Sequence, residues 1–238
     1  MTTHSITTRT QWIAQRRQLL EREKAFTQLK DELAEARRAL PWVQIEKDYR
    51  FETAGGRESL AELFGPHSQL IVYHFMFGPN AELGCKSCSF WADHWRAAVP
   101  HLDARDVTML AVSRAPLAKL DAFKKRQGWK FKWVSSGESD FNYDFAVSFR
   151  EAEHAAGKST YNYGPIPSTT PQDLPGFSVF HKDESGTVFH TYSTFGRGIE
   201  LANGTYQLLD LVPKGRDEAG LPNNMSWVKY GFDQAQSL

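Results

Sequence analysis

The spacing of apolar and polar positions divides the chain into regular blocks. Residues 69–77 form a short apolar run rich in β-branched and aromatic side chains, closed by Gly78 and Pro79, and predict a buried strand. After a loop, Phe90, Trp91, Trp95 and Val99 recur at helical spacing, with most of their bulk on one side, and Pro100 is expected to end that helix. Residues 106–112 predict a second buried strand. Residues 117–127 predict an amphipathic helix with Leu117, Leu120 and Phe123 on one face and Gly128 as its C-cap. Residues 130–134 alternate and predict a third strand. Strand, helix, strand, helix, strand implies parallel pairing with right-handed crossovers.

Other blocks flank this centre. Between residues 11 and 40, Trp12, Leu19, Leu20, Phe26, Leu29, Leu33 and Leu40 stand near helical spacing among runs of charge, with Thr10 as N-cap and Pro41 as stop. One long helix or two shorter ones are expected. Their narrow apolar stripe either packs on the main domain or pairs with a second copy, so a homo-oligomer through this helix is one expectation. Residues 49–53 predict a short strand and 54–57 a turn. Ser59 and Glu62 form a capping box at the start of a short helix. Between 135 and 175 the pattern breaks into an aromatic, proline-containing insertion with a short helix expected near 151–156. Residues 177–181 and 187–192 predict a β-hairpin, and 199–209 a helix. The expected organisation is a helical extension over 1–45, an α/β domain over 46–213 and a polar tail over 214–238.

Composition narrows the function. The formal net charge of the 238 residues is zero, so no global field attracts nucleic acid or an anionic membrane. No run approaches the roughly 18 apolar residues of a membrane span. The first ten residues lack the apolar core of a secretory signal, and a cytoplasmic location is expected. Only two cysteines occur, Cys85 and Cys88, and both stand in one Cys-x-x-Cys motif. A secreted disulfide scaffold would spread more of them along the chain. A closed zinc site would need a second pair, and haem attachment a histidine after the second cysteine. Neither is present, so no metal and no cofactor are expected.

The motif falls at or just before the first turn of the helix that follows the central strand. Unpaired N–H groups and the positive end of the helix dipole stabilise a thiolate at Cys85, and Lys86 adds a positive charge beside it. Cys88, one turn on, is within reach to resolve a mixed disulfide. The leading expectation is a thiol–disulfide oxidoreductase acting on a disulfide-containing protein or a small thiol or disulfide. The alternatives are a peroxide reductase, in which Cys85 passes through a sulfenic acid that Cys88 condenses with, and a non-catalytic binding module.

The order of elements resembles the thioredoxin superfamily. The stretch from Tyr49 to Phe64 is similar to its peroxiredoxin-like and thiol-reductase branches. The blocks 74–78, 84–93, 113–116, 141–144 and 190–198 resemble an uncharacterised bacterial family of predicted dithiol–disulfide oxidoreductases. The resemblance implies a thioredoxin-like mixed sheet flanked by helices, with the helical extension before it and the insertion before the final hairpin. Two departures stand out. Gly84 precedes Cys85 where thioredoxins carry Trp, with Lys86 and Ser87 in place of their Gly-Pro. Gly78 and Glu82 stand where peroxiredoxins carry Pro and Thr or Ser.

Topology selects the residues that share the thiol pole. Both strands of a right-handed strand–helix–strand unit end at the same edge, so Ser113 and Arg114 join the cysteines there. The hairpin leaves that edge and returns, which brings Pro175 and Gly176 at its start and Gly196, Arg197 and Gly198 at its end. Thioredoxins place a cis-proline five residues before the hairpin's inner Phe, and Pro175, five residues before Phe180, is the candidate for that position, an ordinary trans turn proline being the alternative. Arg114 and Arg197 are candidate partners of the thiolate or substrate, and His94, two turns after Cys85, is a candidate proton partner. His74 is expected to be a satisfied core histidine, and Trp91 and Trp95 core residues.

Overall fold

The computed structural model describes residues 4–234. The remaining residues of the expected extension and tail, 1–3 and 235–238, lie outside it. Helix α1 (Arg9–Arg38) is continuous. Thr8 rather than Thr10 caps it, because Gln11 completes a reciprocal capping box with Thr8. No residue of α1 is buried. The chain divides at Pro41/Trp42, and each unit is compact by itself. The boundary precedes residue 45 because Val43 and Gln44 pair within the second unit.

In chain order the second unit contains β1 (Val43–Gln44), β2 (Arg50–Thr53), β3 (Gly56–Ser59), α2 (Leu60–Leu63), β4 (Gln69–His74), α3 (Lys86–Trp95) and α4 (Val99–Asp103). There follow β5 (Val107–Ser113), α5 (Leu117–Gln127), β6 (Trp133–Ser135), α6 (Phe141–Asp144), α7 (Glu151–Ala155), β7 (Thr160–Tyr161) and β8 (Gly164–Pro165). The unit ends with β9 (Gly176–Lys182), β10 (Val188–Phe195), a 3-10 helix (Gly196–Ala202), α8 (Gly204–Leu209) and α9 (Gly231–Gln234). Among the described residues, no helix is long and apolar enough to cross a membrane.

The main sheet runs β1-β10-β9-β4-β5-β6-β2-β3. Strands β4, β5 and β6 are parallel, and the antiparallel pair β9–β10 lies against the other edge of β4. This is the thioredoxin-like mixed sheet with flanking helices. Both faces of β4 are covered, which explains its unbroken apolar sequence. Tyr73, Phe75 and Phe77 enter one core with α3 and α5; Leu70 and Val72 enter the other. The predicted cap of α5 is present, with Gly128 at φ 69° in the left-handed region. Ser59 and Glu62 form the predicted box on α2.

Three expectations change, and the insertion acquires its contacts. Helix α3 stops at Trp95, and Pro100 instead sits in the first turn of α4, where a missing N–H is harmless. The predicted helix over 199–209 is split at Asn203, whose buried side chain accepts from Tyr206 N and starts α8. The insertion carries the short helix expected near 151–156 as α7, and its α6 sends Phe141 into the second core at 0% exposure, between Tyr49 and Phe51. The tail is not a separate polar segment, because Val228 is buried and Tyr230 and Phe232 pack edge-on against Phe123.

Since Phe141 is as buried as any strand residue, Phe141→Ala is expected to destabilise the protein by about 3–5 kcal/mol, measured by denaturant unfolding. A loss below about 1 kcal/mol would show that the insertion is only draped over the sheet.

Candidate active site

The site is built at the carboxyl end of β4. Beyond His74 the chain still follows the sheet edge, with Phe75 N donating to Val112 O and Ala115 N to Phe77 O. A loop then folds back so that Cys85 N donates to Met76 O at 3.0 Å. Lys119 Nζ holds this loop through the carbonyls of Pro79 and Ala81, at 2.8 and 3.1 Å. The Tyr230 hydroxyl donates to Gly84 O at 2.8 Å. A Cβ on Gly84 would lie 2.9 Å from the Phe75 ring and 3.0 Å from the Phe123 ring. Only glycine fits there, which accounts for the absence of the thioredoxin tryptophan.

Cys85 is the N-cap of α3 and Cys88 lies in its first turn. Both are free thiols; Cys85 is half-buried and Cys88 fully buried. Cys85 Sγ accepts from Cys88 N at 3.5 Å, and Cys88 Sγ accepts from Met76 N at 3.4 Å. The Cys85 thiol is lowered from 9.0 to about 6. The largest cause is the Cys88 thiol, which donates to the thiolate; the N–H groups of Cys88 and Ser87 and the Ser87 hydroxyl add to it, against the opposing effect of burial. Burial pushes Cys88 well above its ordinary value, and the neighbouring Cys85 charge pushes it further. One environment therefore splits two identical side chains into a thiolate and a protonated thiol.

A cleft of about 660 Å³ opens beside the pair, with Tyr73, Met76, Cys88 and Trp91 in its walls. Pro175 and Gly196 border it, as the hairpin topology predicts, and Arg197 lies on the same border. The peptide bond of Pro175 is trans, however, since no described peptide bond is cis. Its carbonyl accepts from the Tyr161 hydroxyl at 2.6 Å, and the Tyr161 hydroxyl oxygen in turn accepts from Gly196 N at 2.8 Å. The insertion thus ties the two hairpin ends together beside the thiols.

The charged candidates are placed differently from expectation. Lys86 directs its ammonium towards the Tyr230 ring, 5.9 Å from its centroid, and is not among the leading causes of the Cys85 shift. Arg197 is 84% exposed and paired with Glu200 at 3.0 Å, because the 3-10 turn sets that carboxylate three residues on. It is a rim residue, not a partner of the thiolate. Arg114 is buried in a bidentate pair with Asp173, at 2.8 and 2.9 Å, and also donates to the Tyr143 hydroxyl. It anchors the insertion to the end of β5. His94 shares a 2.8 Å hydrogen bond with the Thr205 hydroxyl and packs on Phe90, facing α8 rather than the thiols. His74 is a core histidine: burial holds its pKa down to about 3, and Nε2 meets the Ser178 hydroxyl at 2.8 Å. Trp91 and Trp95 are core residues. Among the described residues no group of three or more His, Cys, Asp or Glu side chains is placed so that it could hold a metal ion.

Sequence reasoning missed Tyr73 and Tyr230, and it named Tyr161 only as an aromatic of the insertion. Tyr73 was legible, since it alternates with Phe75 and Phe77 on the face of β4 towards α3. The pattern contained no signal for the long-range tyrosines.

Fold and site together define a thioredoxin-like domain with a Cys-x-x-Cys pair at a helix N-terminus. The chain belongs to the family described as "Bacterial protein of unknown function (DUF899)", whose model matches residues 1–233. No curated protein matches it. Among solved structures it is similar to a variant of Xanthomonas campestris peroxiredoxin Q, at 16% identity and TM-score 0.47, covering 72% of this chain and 97% of that one. It is also similar to the peroxidoxin BcpB from Mycobacterium tuberculosis, at 12% identity and TM-score 0.46, covering 70% and 92%.

Two outcomes follow from this geometry. Alkylation of the reduced protein at Cys85 should reach half its maximal rate near pH 6, read by mass spectrometry across a pH series. Folding lowers this thiol from 9.0 to about 6, so its ionisation stabilises the fold increasingly as pH rises between those values. That contribution is lost as pH falls through 6 and should be missing from the stability curve of Cys85→Ser. Separately, Gly84→Ala should cost about 1–3 kcal/mol by overpacking. It should also slow Cys85 alkylation by displacing the residue next to it.

Proposed function

We propose that the protein is a thiol–disulfide oxidoreductase in which Cys85 attacks and Cys88 resolves. The observation that carries this reading is the split of the pair: a half-exposed thiolate in front of a buried, protonated thiol one helical turn on. A thiol whose pKa lies near ambient pH combines a large thiolate fraction with useful nucleophilicity. The Cys85 thiolate attacks one sulfur of a substrate disulfide, that S–S bond breaks, and the first product leaves as a thiolate. Cys88 then attacks the Cys85 sulfur and expels the second product. Its proton ends on one of the departing thiolates. Two electrons pass from the cysteine pair to the substrate, and no cofactor takes part. The reverse sequence oxidises a substrate dithiol.

Cys88→Ser should trap a mixed disulfide through Cys85, visible by mass spectrometry and reversed by reductant, whereas Cys85→Ser should trap none. Trapping through Cys88 alone would reverse the assignment. Hydroperoxide turnover without disulfide reductase activity would replace the reading with peroxide reduction.

A further inference from the structure

The reading above leaves one group at the site without a task. Tyr73 lies on the face of β4 towards α3 and is 0% exposed. Its ring is fixed by Phe75, Trp95 and Phe177, with centroids 6.1, 5.8 and 5.0 Å away. Its hydroxyl makes no hydrogen bond of ordinary geometry, and the group it acts on as a donor is the Cys88 sulfur. Buried tyrosine hydroxyls ordinarily find one, and an orphan in a well-packed core calls for an explanation. Tyr73 shares the wall of the cleft with Cys88. Its hydroxyl also feels the charge of both cysteines.

Cys88 needs a donor. The resolving step requires its sulfur to carry negative charge while buried, where an unassisted thiolate is disfavoured. Met76 N already donates to that sulfur, and it remains a protonated thiol nonetheless. Several other polar groups nearby are already engaged. Tyr161 donates to Pro175 O, the Trp91 indole donates to Ile199 O at 2.9 Å, and His94 is held by Thr205. Arg197 is paired with Glu200, and the Tyr206 hydroxyl donates to Glu218. Burial raises the Tyr73 phenol above its ordinary range, so it stays protonated and acts as a donor, not as a base.

We propose that the Tyr73 hydroxyl assists the resolving step by donating a hydrogen bond to Cys88 Sγ as that sulfur becomes the attacking thiolate. The inference rests on the disulfide-exchange reading of the same site. No proton is lost from Tyr73: the Cys88 proton passes to a departing substrate thiolate, the Cys85–substrate S–S bond breaks, and the Cys85–Cys88 bond forms. The hydroxyl ends each turnover as it began.

The test separates the two half-steps. Reduced protein is mixed with bis(nitrobenzoate) disulfide, whose released thiolate is coloured, under single-turnover conditions. The first equivalent of colour reports attack by Cys85, and the second reports resolution by Cys88. In Tyr73→Phe, which keeps the ring and its packing, the first phase should stay within about twofold of wild type. The second should slow about tenfold or more, the effect of one hydrogen bond to a charged group. An unchanged second phase, or equal slowing of both phases, overturns the proposal. Should Tyr73→Phe misfold, a ring-fluorinated tyrosine at position 73 gives the same decision. It is a stronger donor of nearly the same shape and should speed the second phase alone; no change in it overturns the proposal. A wild-type protein that releases no first equivalent through Cys85 instead overturns the disulfide-exchange reading, and the role of Tyr73 with it.

Discussion

The interaction on which the site depends is the approach of N–H and S–H donors to the sulfur of Cys85. A half-buried thiolate is disfavoured by burial, and the first turn of α3 supplies what offsets it. That turn must therefore be held in place. Cys85 N is fastened to Met76 O, Gly84 O to the Tyr230 hydroxyl, and the preceding loop to the ammonium of Lys119. Each contact joins the start of α3 to a different element: the end of β4, the C-terminal segment and α5. The absence of a side chain on Gly84 lets these elements close on one point. A Cβ there would meet Phe75 and Phe123, the rings that wedge β4 and α5 apart.

The same economy of space explains why charged side chains contribute little. Arg114 and Arg197 both reach the cysteine pole, yet each is captured by a carboxylate, Asp173 or Glu200. An arginine paired in this way has little charge to lend to a thiolate, and Lys86 points to solvent and the Tyr230 ring. Cys85 is tuned by backbone donors and by its own partner thiol. The backbone donors among these are fixed by the helix and do not depend on a flexible side chain adopting one rotamer. Arg114 has a different task, joining the insertion to the end of β5 through Asp173 and Tyr143.

How far the sequence could be read follows from the range of each interaction. The parallel β4–β5–β6 unit, the caps at Ser59 and Gly128 and the thiol position at a helix start are local patterns, and all are present. Positions at the pole followed from strand direction alone, which is why Pro175, Gly196 and Arg197 border the cleft. What topology could not supply was orientation. It brought Arg197 to the rim without showing that Glu200 would take it, and Pro175 to the cleft without its trans peptide bond. The tail reads as separate from the domain, and the particular contacts of the insertion are not legible, because Phe141, Tyr161 and Tyr230 lie in polar, irregular stretches. Their partners are distant in sequence, at Phe51, Gly196 and Gly84. No periodicity records such contacts.

The two cysteines show how one fold makes different reagents from one residue type. Cys85 stands at the helix cap, with solvent on one side and donors on the other. Cys88, one turn deeper, faces Tyr73, Met76 and Trp91 and loses hydration without gaining comparable charge stabilisation. In the proposed exchange the difference in depth sets the order of events: the accessible thiolate would meet a substrate first, and the buried thiol would act only once the Cys85 charge had been consumed in a mixed disulfide. Loss of that charge removes the repulsion that helped to keep Cys88 protonated. On the proposed mechanism the first step would thus make the second easier, because the two thiols are electrostatically opposed before substrate arrives.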